Sequence, residues 1–289
     1  MLNDPQAAQY ALLAMYAEDM YESLPDSAKG NLQVPIDPRV SANWTVIGFI
    51  TGKDALLDTQ TMGLGDQVYY GFLAYSNTDT TKFVAVIRGT AGLIEWIEDA
   101  EFLPVPAPSP LVGRVENGFY SIYLSMAYTP LAGSAIRPAA TGVATAVGQN
   151  QVTVVGNSLG STLATYFALD LAVRTPLKAS VSACLIASPR PGNSDFAKYF
   201  DQNVAAYKVY NYSLDLVPKV PVLFEYSALP KATEFSPSDA QARIRINPGC
   251  NHHAACYAAM LNFGAADWSQ IPGIGQGNTP CLLNENKGV

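Results

Sequence analysis

The stretch QVTVVGNSLG, residues 151–160, joins an apolar run to the pattern Gly156-Asn157-Ser158-Leu159-Gly160. The run is apolar enough for a buried strand, and a helical pattern follows it at about 159–173. A G-x-S-x-G pattern between a buried strand and a helix is typical of a sharp turn that raises a serine hydroxyl above a sheet. We therefore predict that Ser158 is a nucleophile, and that the N–H of Leu159 at the helix start points toward a developing oxyanion.

The placement of this pattern carries more weight than the pattern itself. Gly and Ser also occur together in ordinary loops, and a chance match arises in about one chain in ten at this length. A chance match would fall anywhere in the chain, whereas this one falls between a predicted strand and a predicted helix. The context therefore favours a catalytic turn over a plain loop.

The segments on either side of the stretch alternate in a way that predicts an α/β fold. Downstream, a strand at 181–188, a helix near 193–202 and a strand at 205–213 indicate parallel β-α-β units. Upstream, three β-type runs are separated by short polar or Gly-containing stretches, as in hairpin-connected strands. The other upstream predictions are strands at 44–52, 68–77 and 82–90, a first helix over 4–23, and helices near 118–128 and 136–148.

The size and composition of the chain predict one domain. Its 289 residues are enough for a large core, and neither an internal repeat nor a linker divides them. We therefore expect a single domain over residues 1–289.

The charge and hydropathy of the chain limit its partners. The net charge of −7, with no basic cluster to offset it, disfavours nucleic acid and anionic membranes. No apolar stretch reaches the eighteen or so residues of a membrane span, so we predict no transmembrane segment.

The N-terminal stretch MLNDPQAAQYALL lacks the features of a secretory signal, which leaves two alternatives: a cytoplasmic protein, or a secreted one whose signal is absent from this sequence. The sequence does not indicate an oligomeric state.

Four cysteines and two histidines offer little for a metal site. The cysteines show no paired C-x-x-C spacing, so we predict no metal and no cofactor. Cys184 lies in an apolar run, as a buried small hydrophobe does. Cys250, Cys256 and Cys281 cluster late in the chain and are available to form a disulfide in an oxidising compartment. The sequence does not indicate which two of them pair.

A serine nucleophile needs a base, and only His252 and His253 can supply it. Both lie downstream of Ser158, as the chain order serine, acid, histidine requires. Adjacent residues at a helix start point about 100° apart, so only one of them faces the serine and the other is structural. Asp215 follows the strand at 205–213 and therefore lies at the same sheet edge as Ser158, whereas Asp195 and Asp201 are expected on a solvated helix.

Five segments of the chain, in order over residues 83–257, resemble the class 3 lipases. They are FVAVIRGTAGLIEWIEDAEFLPV, VENGFYSIY, VVGNSLGSTLA, IASPRPGN and NYSLDLVPKVP. The resemblance implies an α/β-hydrolase fold: a central, mostly parallel sheet flanked by helices, with a short helical lid. The chain departs from the family pattern at Asn157 and Glu116, where the family has His, and at Ser161, where it has Gly.

The resemblance also implies roles for individual residues. Ser158 corresponds to the nucleophile and Asp215 to the orienting acid. The family's Tyr five positions after the histidine matches Tyr257, which selects His252 as the base and leaves His253 as second choice. Thr90 corresponds to the first oxyanion donor, and the N–H of Leu159 is the second.

The segment 91–99 is the expected lid. Its apolar side chains share one helical face, as in a lid that covers the site in water and turns toward lipid, although a helix packed permanently on the core fits this periodicity equally well. These side chains are Leu93, Ile94, Trp96 and Ile97.

The sequence thus predicts a serine carboxylester hydrolase, a lipase acting on acylglycerols or other fatty-acyl esters. We expect it to bind its substrate at an oil–water interface. An aryl, feruloyl or short-chain esterase is the alternative within the enzyme class. A non-catalytic binding protein on a hydrolase fold is the alternative outside it, and the complete set of catalytic residue types argues against it.

Overall fold

The first helix and the first three strands of the fold lie close to where the sequence predicts them. The structure, a computed structural model, describes residues 2–53, 66–90, 102–133, 135–204, 206–265 and 280–283. Helix α1 (Pro5–Glu22) begins after Asp4, whose carboxylate accepts a hydrogen bond from the N–H of Ala7, and Pro5 takes the first helical position. The strands that follow are β1 (Trp44–Lys53), β2 (Gln67–Ser76) and β3 (Lys82–Ile87), with the one-turn helix α2 (Pro38–Ser41) before them.

The middle of the chain differs from the prediction in two places. The helix expected near 118–128 is α3 (Asn117–Leu124), and the residues after it form strand β6 (Ala127–Pro130). This strand pairs with β1, opposite Ile50 and Thr51, so pairing across the sheet overrides the local helical pattern. The helix expected from 136 begins at α4 (Ala139–Val147), because strand β7 (Arg137–Pro138) pairs with β6. Strands β4 (Pro104–Pro106) and β5 (Arg114–Glu116), which form a separate pair, were not predicted.

The second half of the chain alternates strand and helix as predicted. The last strand of this half, β11, was not predicted. The elements are β8 (Gln151–Asn157), α5 (Leu159–Arg174), β9 (Val181–Ile186), α6 (Ser194–Asn203), β10 (Ala206–Tyr212), β11 (Ala232–Phe235), α7 (Pro248–His252) and α8 (Ala254–Leu261). Short 3-10 turns lie at Asp26–Ala28, Lys178–Ser180, Val217–Lys219 and Phe263–Ala265.

The main sheet has the order β11-β10-β9-β8-β3-β2-β1-β6-β7 among the described residues. The strands β3, β8, β9, β10 and β11 pair in parallel, and the remaining pairs are antiparallel. Only β2 and β6 run against the other seven strands, so the sheet is mostly parallel. Together with the helices that pack on it, this is the α/β-hydrolase fold that the sequence predicts. The carboxyl ends of the parallel strands form the edge at which open α/β sheets bind ligands.

Helix α5 is buried along almost its whole length, and α1 packs against α8 and the neighbouring strands. The buried face of α1 consists mainly of alanine, which permits close approach to the sheet. None of the described helices combines the length and the hydropathy that crossing a membrane requires.

A disulfide joins Cys250 to Cys281 and resolves the pairing that the sequence left open. It ties the start of α7 to the segment 280–283 near the end of the chain. Cys184 and Cys256 are free and buried. Burial raises the pKa of the Cys184 thiol to about 12, as expected for a cysteine that serves as a small apolar side chain.

Candidate active site

The turn between β8 and α5 holds Ser158 in a strained backbone conformation. Its φ is 59° and its ψ is −132°, in the region that non-glycine residues rarely adopt. A side chain on Gly156 would overlap the backbone of Gly160, and one on Gly160 would overlap the carbonyl groups of Arg88 and Ile87. Both glycines of the pattern are therefore required by close packing, and Gly160 brings the end of β3 against the serine turn.

Two departures from the family pattern are accommodated at this turn. The hydroxyl of Ser161 lies 2.8 Å from the carbonyl oxygen of Gly156 and 2.7 Å from that of Ile186, and it accepts a hydrogen bond of 2.9 Å from the N–H of Ile186. A glycine makes none of these contacts, so Ser161 ties the helix start to strand β9. Asn157 is buried, directly before the serine.

The structure places His252 between Ser158 and Asp215. Its Nε2 lies 2.6 Å from Oγ of Ser158, and its Nδ1 lies 2.9 Å from Oδ2 of Asp215. The serine is 2% exposed and the aspartate 1%, so this chain of hydrogen bonds is shielded from water. An imidazole that donates from Nδ1 to a carboxylate keeps Nε2 free to accept the serine proton.

Three donors converge on the carboxylate of Asp215. Besides His252, the hydroxyl of Tyr257 donates to Oδ2 at 2.8 Å and the N–H of Val217 donates to Oδ1 at 3.0 Å. The Tyr257 hydroxyl in turn accepts a hydrogen bond of 2.8 Å from the N–H of Tyr212, the last residue of β10. The acid is thus held from the strand that precedes it and from the helix that follows the histidine.

His253 caps a helix. Its Nδ1 accepts a hydrogen bond of 3.2 Å from the N–H of Ala255, in the first turn of α8. Burial lowers the pKa of His253, which keeps the ring in the neutral form that this acceptor role needs. The two histidines thus take different positions, with His252 in contact with Ser158 and Asp215.

The residues expected to bind the oxyanion belong to the turn after β3 and to the start of α5. Leu159 is the first residue of α5, where helix geometry leaves N–H groups without intrahelical acceptors. Thr90 follows β3, and Arg88 braces this turn. The buried guanidinium donates 2.8 Å hydrogen bonds to the carbonyl groups of Tyr69 and Gly89, and its Nη1 lies 3.5 Å from Oγ1 of Thr90. It also stacks over the rings of Tyr21 and Tyr70.

Glu116 takes a structural position. Its carboxylate accepts a hydrogen bond of 2.6 Å from the N–H of Phe119 and so caps α3, and burial raises its pKa. The expected lid over 91–99, with Leu93, Ile94, Trp96 and Ile97, lies outside the described residues. Within the described residues, no group of three or more His, Cys, Asp or Glu side chains is placed to hold a metal ion.

A model of the family Lipase (class 3) matches residues 84–225. Over these residues the chain matches the class 3 lipase family. The matched part of the chain contains Thr90, Ser158 and Asp215, while His252 lies beyond its end. The structure places His252 in the site, and this family match does not include it.

Relatives with curated names match over longer ranges. Secreted mono- and diacylglycerol lipase A of Penicillium cyclopium is 28% identical over 222 residues, which cover 74% of this chain and 63% of that protein. Phospholipase A1-II 1 of Oryza sativa subsp. indica is 30% identical over 215 residues, which cover 65% of this chain and 53% of that protein. The chain therefore spans about half to two thirds of the length of these relatives.

The solved structure of Rhizomucor miehei triacylglyceride lipase has the same fold. It superposes with a TM-score of 0.57 at 22% sequence identity, over 80% of this chain and 79% of that one. At this identity the likeness concerns the fold.

The structure reveals one residue at the site that sequence reasoning missed. Glu18 of α1 lies beside Gly89, at helical spacing from the buried residues Ala11, Ala14 and Tyr21. A charged residue on an otherwise apolar helical stripe is the sequence signal that points to it.

Proposed function

We propose that this protein is a class 3 lipase, a serine carboxylester hydrolase that acts on fatty-acyl esters of glycerol. The observation that carries the proposal is the continuous chain of hydrogen bonds from Ser158 through His252 to Asp215, at 2.6 and 2.9 Å. This arrangement activates a serine hydroxyl that is otherwise a weak nucleophile.

In the proposed reaction, His252 accepts the proton of Ser158 at Nε2 as Oγ attacks the ester carbonyl. Asp215 orients the ring through Nδ1 and stabilises the imidazolium that forms. The N–H groups of Thr90 and Leu159 stabilise the tetrahedral oxyanion. His252 then gives its proton to the leaving alcohol, and water hydrolyses the acyl-enzyme by the same steps. No cofactor takes part in these steps.

Exposed apolar residues that follow Asp215 in the chain support a fatty-acyl substrate. The segment that follows Asp215 exposes large apolar side chains, with Phe224 96% exposed and Val222 76% exposed. Leu216 and Leu223 in the same segment are also exposed. Exposed apolar side chains of this kind favour contact with an acyl chain or with the surface of an oil droplet. The curated names of the two relatives, which specify mono- and diacylglycerols and phospholipids, support glycerol esters as the substrate class.

The disulfide supports an extracellular location. Disulfides persist in oxidising compartments, and Cys250–Cys281 is buried on both sides. The Penicillium relative is named a secreted lipase. We include secretion in the proposal on these two grounds.

The test compares wild type with Ser158→Ala on p-nitrophenyl esters from short to long acyl chains. We expect the variant to lose about 10⁴-fold or more in kcat/KM on every ester, because the hydroxyl that contacts Nε2 of His252 is lost. Ser182→Ala, the same change on strand β9 where the hydroxyl contacts Thr153, is the matched control and should keep full activity. Equal rates for wild type and Ser158→Ala would overturn the proposal.

The substrate class is tested with triglyceride emulsions and phospholipid vesicles. Phe224→Ser should slow hydrolysis of emulsified triglyceride and leave the rate on p-nitrophenyl acetate unchanged, since only the emulsion presents a surface to the exposed ring. Ile136→Ser, an exposed apolar residue next to the far edge strand β7, is the control and should change neither rate. Activity confined to soluble short or aryl esters would make the protein an esterase instead.

A further inference from the structure

Asn251 is a buried amide that directly precedes His252 on α7. Its side chain is 4% exposed, and its Nδ2 donates a hydrogen bond of 3.0 Å to the carbonyl oxygen of Leu214. A carbonyl oxygen can only accept a hydrogen bond, so this partner fixes which end of the amide faces it. Leu214 directly precedes Asp215. The residue before the proposed base thus bonds to the residue before the orienting acid.

The two segments therefore contact each other twice, one residue apart. His252 and Asp215 bond through their side chains at 2.9 Å. Asn251 bonds to the main chain of Leu214 at 3.0 Å. A single hydrogen bond leaves two segments free to pivot about it, whereas contacts at two adjacent positions restrict that motion. The second contact therefore fixes the orientation of α7 relative to the loop that carries the acid.

The hydrogen bond from Asn251 also completes the anchoring of the peptide group between Leu214 and Asp215. The N–H of that group belongs to Asp215 and donates a hydrogen bond of 2.9 Å to the carbonyl oxygen of Tyr212, at the end of β10. Its carbonyl oxygen belongs to Leu214 and accepts from Asn251. Because a peptide group is planar, hydrogen bonds on both of its edges fix its plane. The carboxylate thus extends from a main chain that is held by β10 and by α7.

Helix α7 needs such tertiary contacts because it is only five residues long. A helix of about one turn has little stability of its own. Three consecutive residues attach it to other parts of the chain. They are Cys250 through its disulfide to Cys281, Asn251 through Leu214, and His252 through Asp215 and Ser158. Asn251 is thus the attachment next to the histidine itself.

Stability alone gives little reason for an amide at this position. The Oδ1 of Asn251 is buried and has no hydrogen-bond donor within the part of the chain that the structure describes. A buried acceptor without a donor costs free energy. Leucine, of similar size, would remove this oxygen and leave the carbonyl of Leu214 without its donor instead, so the two side chains carry similar penalties. The difference that remains between them is the geometric restraint on the acid.

We propose that Asn251 is a positioning residue of this site, which fixes the main chain of Leu214 and Asp215 so that the carboxylate stays in hydrogen-bond contact with Nδ1 of His252. This inference rests on the proposed function. Asn251 takes no proton itself and acts on the reaction through Asp215.

The first test compares Asn251→Leu with wild type on a soluble p-nitrophenyl ester. Leucine keeps a similar volume and removes the donor. We expect kcat to fall about tenfold with KM within about twofold of wild type, because a less firmly held carboxylate stabilises the imidazolium of the transition state less. The Tm should stay within about 4 °C of wild type, since the two side chains carry similar burial penalties.

Asn150→Leu is the matched control. The Nδ2 of Asn150 also donates to a main-chain carbonyl, that of Val147, at 2.9 Å. Asn150 lies just before β8, whose opposite end carries the serine turn, so its loss should leave kcat unchanged. A kcat of Asn251→Leu that equals the wild-type value overturns the inference, and so does an equal loss in the control.

A double variant separates an effect through Asp215 from a general loosening of the site. Asp215→Asn removes the carboxylate and should cost about 10⁴-fold in kcat. If Asn251 acts through Asp215, adding Asn251→Leu to Asp215→Asn should lower the residual kcat by less than about twofold. A further tenfold loss in the double variant would show that Asn251 acts independently of the acid and would refute the proposal.

An NMR signal of the histidine ring tests the contact without substrate. The chain has only two histidines, so ring ¹⁵N labelling yields two sets of signals. The Nδ1 of His253 accepts a hydrogen bond, which leaves the Nδ1–H of His252 as the one donated to a carboxylate. We expect its proton signal at low field in wild type, and moved upfield or lost through exchange with water in Asn251→Leu. An identical low-field signal in both proteins would contradict the proposal.

Ser158→Ala, assayed in parallel, distinguishes failure of this inference from failure of the proposed function. If wild type is active and Ser158→Ala is silent while Asn251→Leu matches wild type in kcat and in the NMR signal, only the role of Asn251 fails. If wild type and Ser158→Ala are alike while the signal still responds to Asn251→Leu, the proposed function fails and the positioning of the acid by Asn251 stands.

Discussion

The hydroxyl of Tyr257 donates a hydrogen bond of 2.8 Å to Oδ2 of Asp215, the oxygen that also contacts Nδ1 of His252. The same hydroxyl accepts the N–H of Tyr212. One side chain on α8 therefore links the end of β10 to the carboxylate that orients the histidine. The orientation of the acid depends on packing between elements that are distant in the chain.

Replacing Tyr257 with phenylalanine should lower kcat about tenfold and leave KM unchanged. The change removes one donor to Asp215 and leaves the N–H of Tyr212 without its acceptor, so the carboxylate holds the ring of His252 less firmly. Steady-state kinetics on a soluble ester measure the effect. Tyr210→Phe serves as the control, because it removes a hydroxyl on β10 that bonds to Asp4 at 2.7 Å, away from the site. A kcat loss of equal size in both variants would contradict the role given to Tyr257.

Replacing Gly160 with alanine should abolish activity and lower the free energy of unfolding by about 2 to 4 kcal/mol. The added methyl group would overlap the carbonyl groups of Arg88 and Ile87, so β3 and the serine turn must separate. Denaturant unfolding and ester hydrolysis measure the two effects. In Gly30→Ala the methyl group meets no atom within 4 Å, and this variant should behave as wild type. An active, stable Gly160→Ala protein would argue against the close contact.

Removing the disulfide with the double change Cys250→Ala and Cys281→Ala should lower the free energy of unfolding by about 2 to 4 kcal/mol. The bridge closes a loop over a sequence separation of 31 residues, and Cys250 lies two positions before His252 in α7. We therefore expect kcat to fall as well, since α7 loses its anchor. Thermal unfolding with and without reductant provides the check. Reductant should lower the Tm of wild type and leave that of the double variant unchanged. If the wild-type Tm is the same with and without strong reductant, the bridge does not contribute to stability.

The free energy of unfolding should decrease below neutral pH because of His253. Burial lowers the pKa of this histidine in the folded state below its ordinary value of 6.5. The unfolded chain then binds the proton more readily, so the stabilisation is complete above pH 6.5 and is lost as the pH falls below that value. Protonation also removes the Nδ1 acceptor that caps α8.

His253→Asn tests this origin of the pH dependence. Asparagine offers an N-cap oxygen and does not titrate, so the variant should lose less stability than wild type between pH 7.5 and pH 5.5. The Tm at the two pH values measures the difference. Parallel curves for wild type and variant would assign the acid sensitivity to other groups.

The sequence predicted most of the parallel half of the sheet because its signals are local. The run 151–158, the helix after it and the strand at 181–188 each show their character within one window of residues, and the structure bears them out. Residues 127–130 show the limit of this reasoning. The first two of them fall inside the helix predicted near 118–128, yet all four form a strand because β1 offers them a partner about eighty residues away. Strand β11 pairs with β10 for the same kind of reason.

The sequence by itself determined the α/β fold, the strand–turn–helix around Ser158 and the short set of residues able to serve as acid and base. These features follow from local hydrophobic patterns, from two glycines that permit the turn and from chain order. Only the tertiary structure decided that His252 contacts Ser158 while His253 caps α8, that Cys250 bonds to Cys281, and that Glu18 reaches Gly89. Each of these depends on how separate elements pack, since distances between residues far apart in the chain are set by the folded core as a whole.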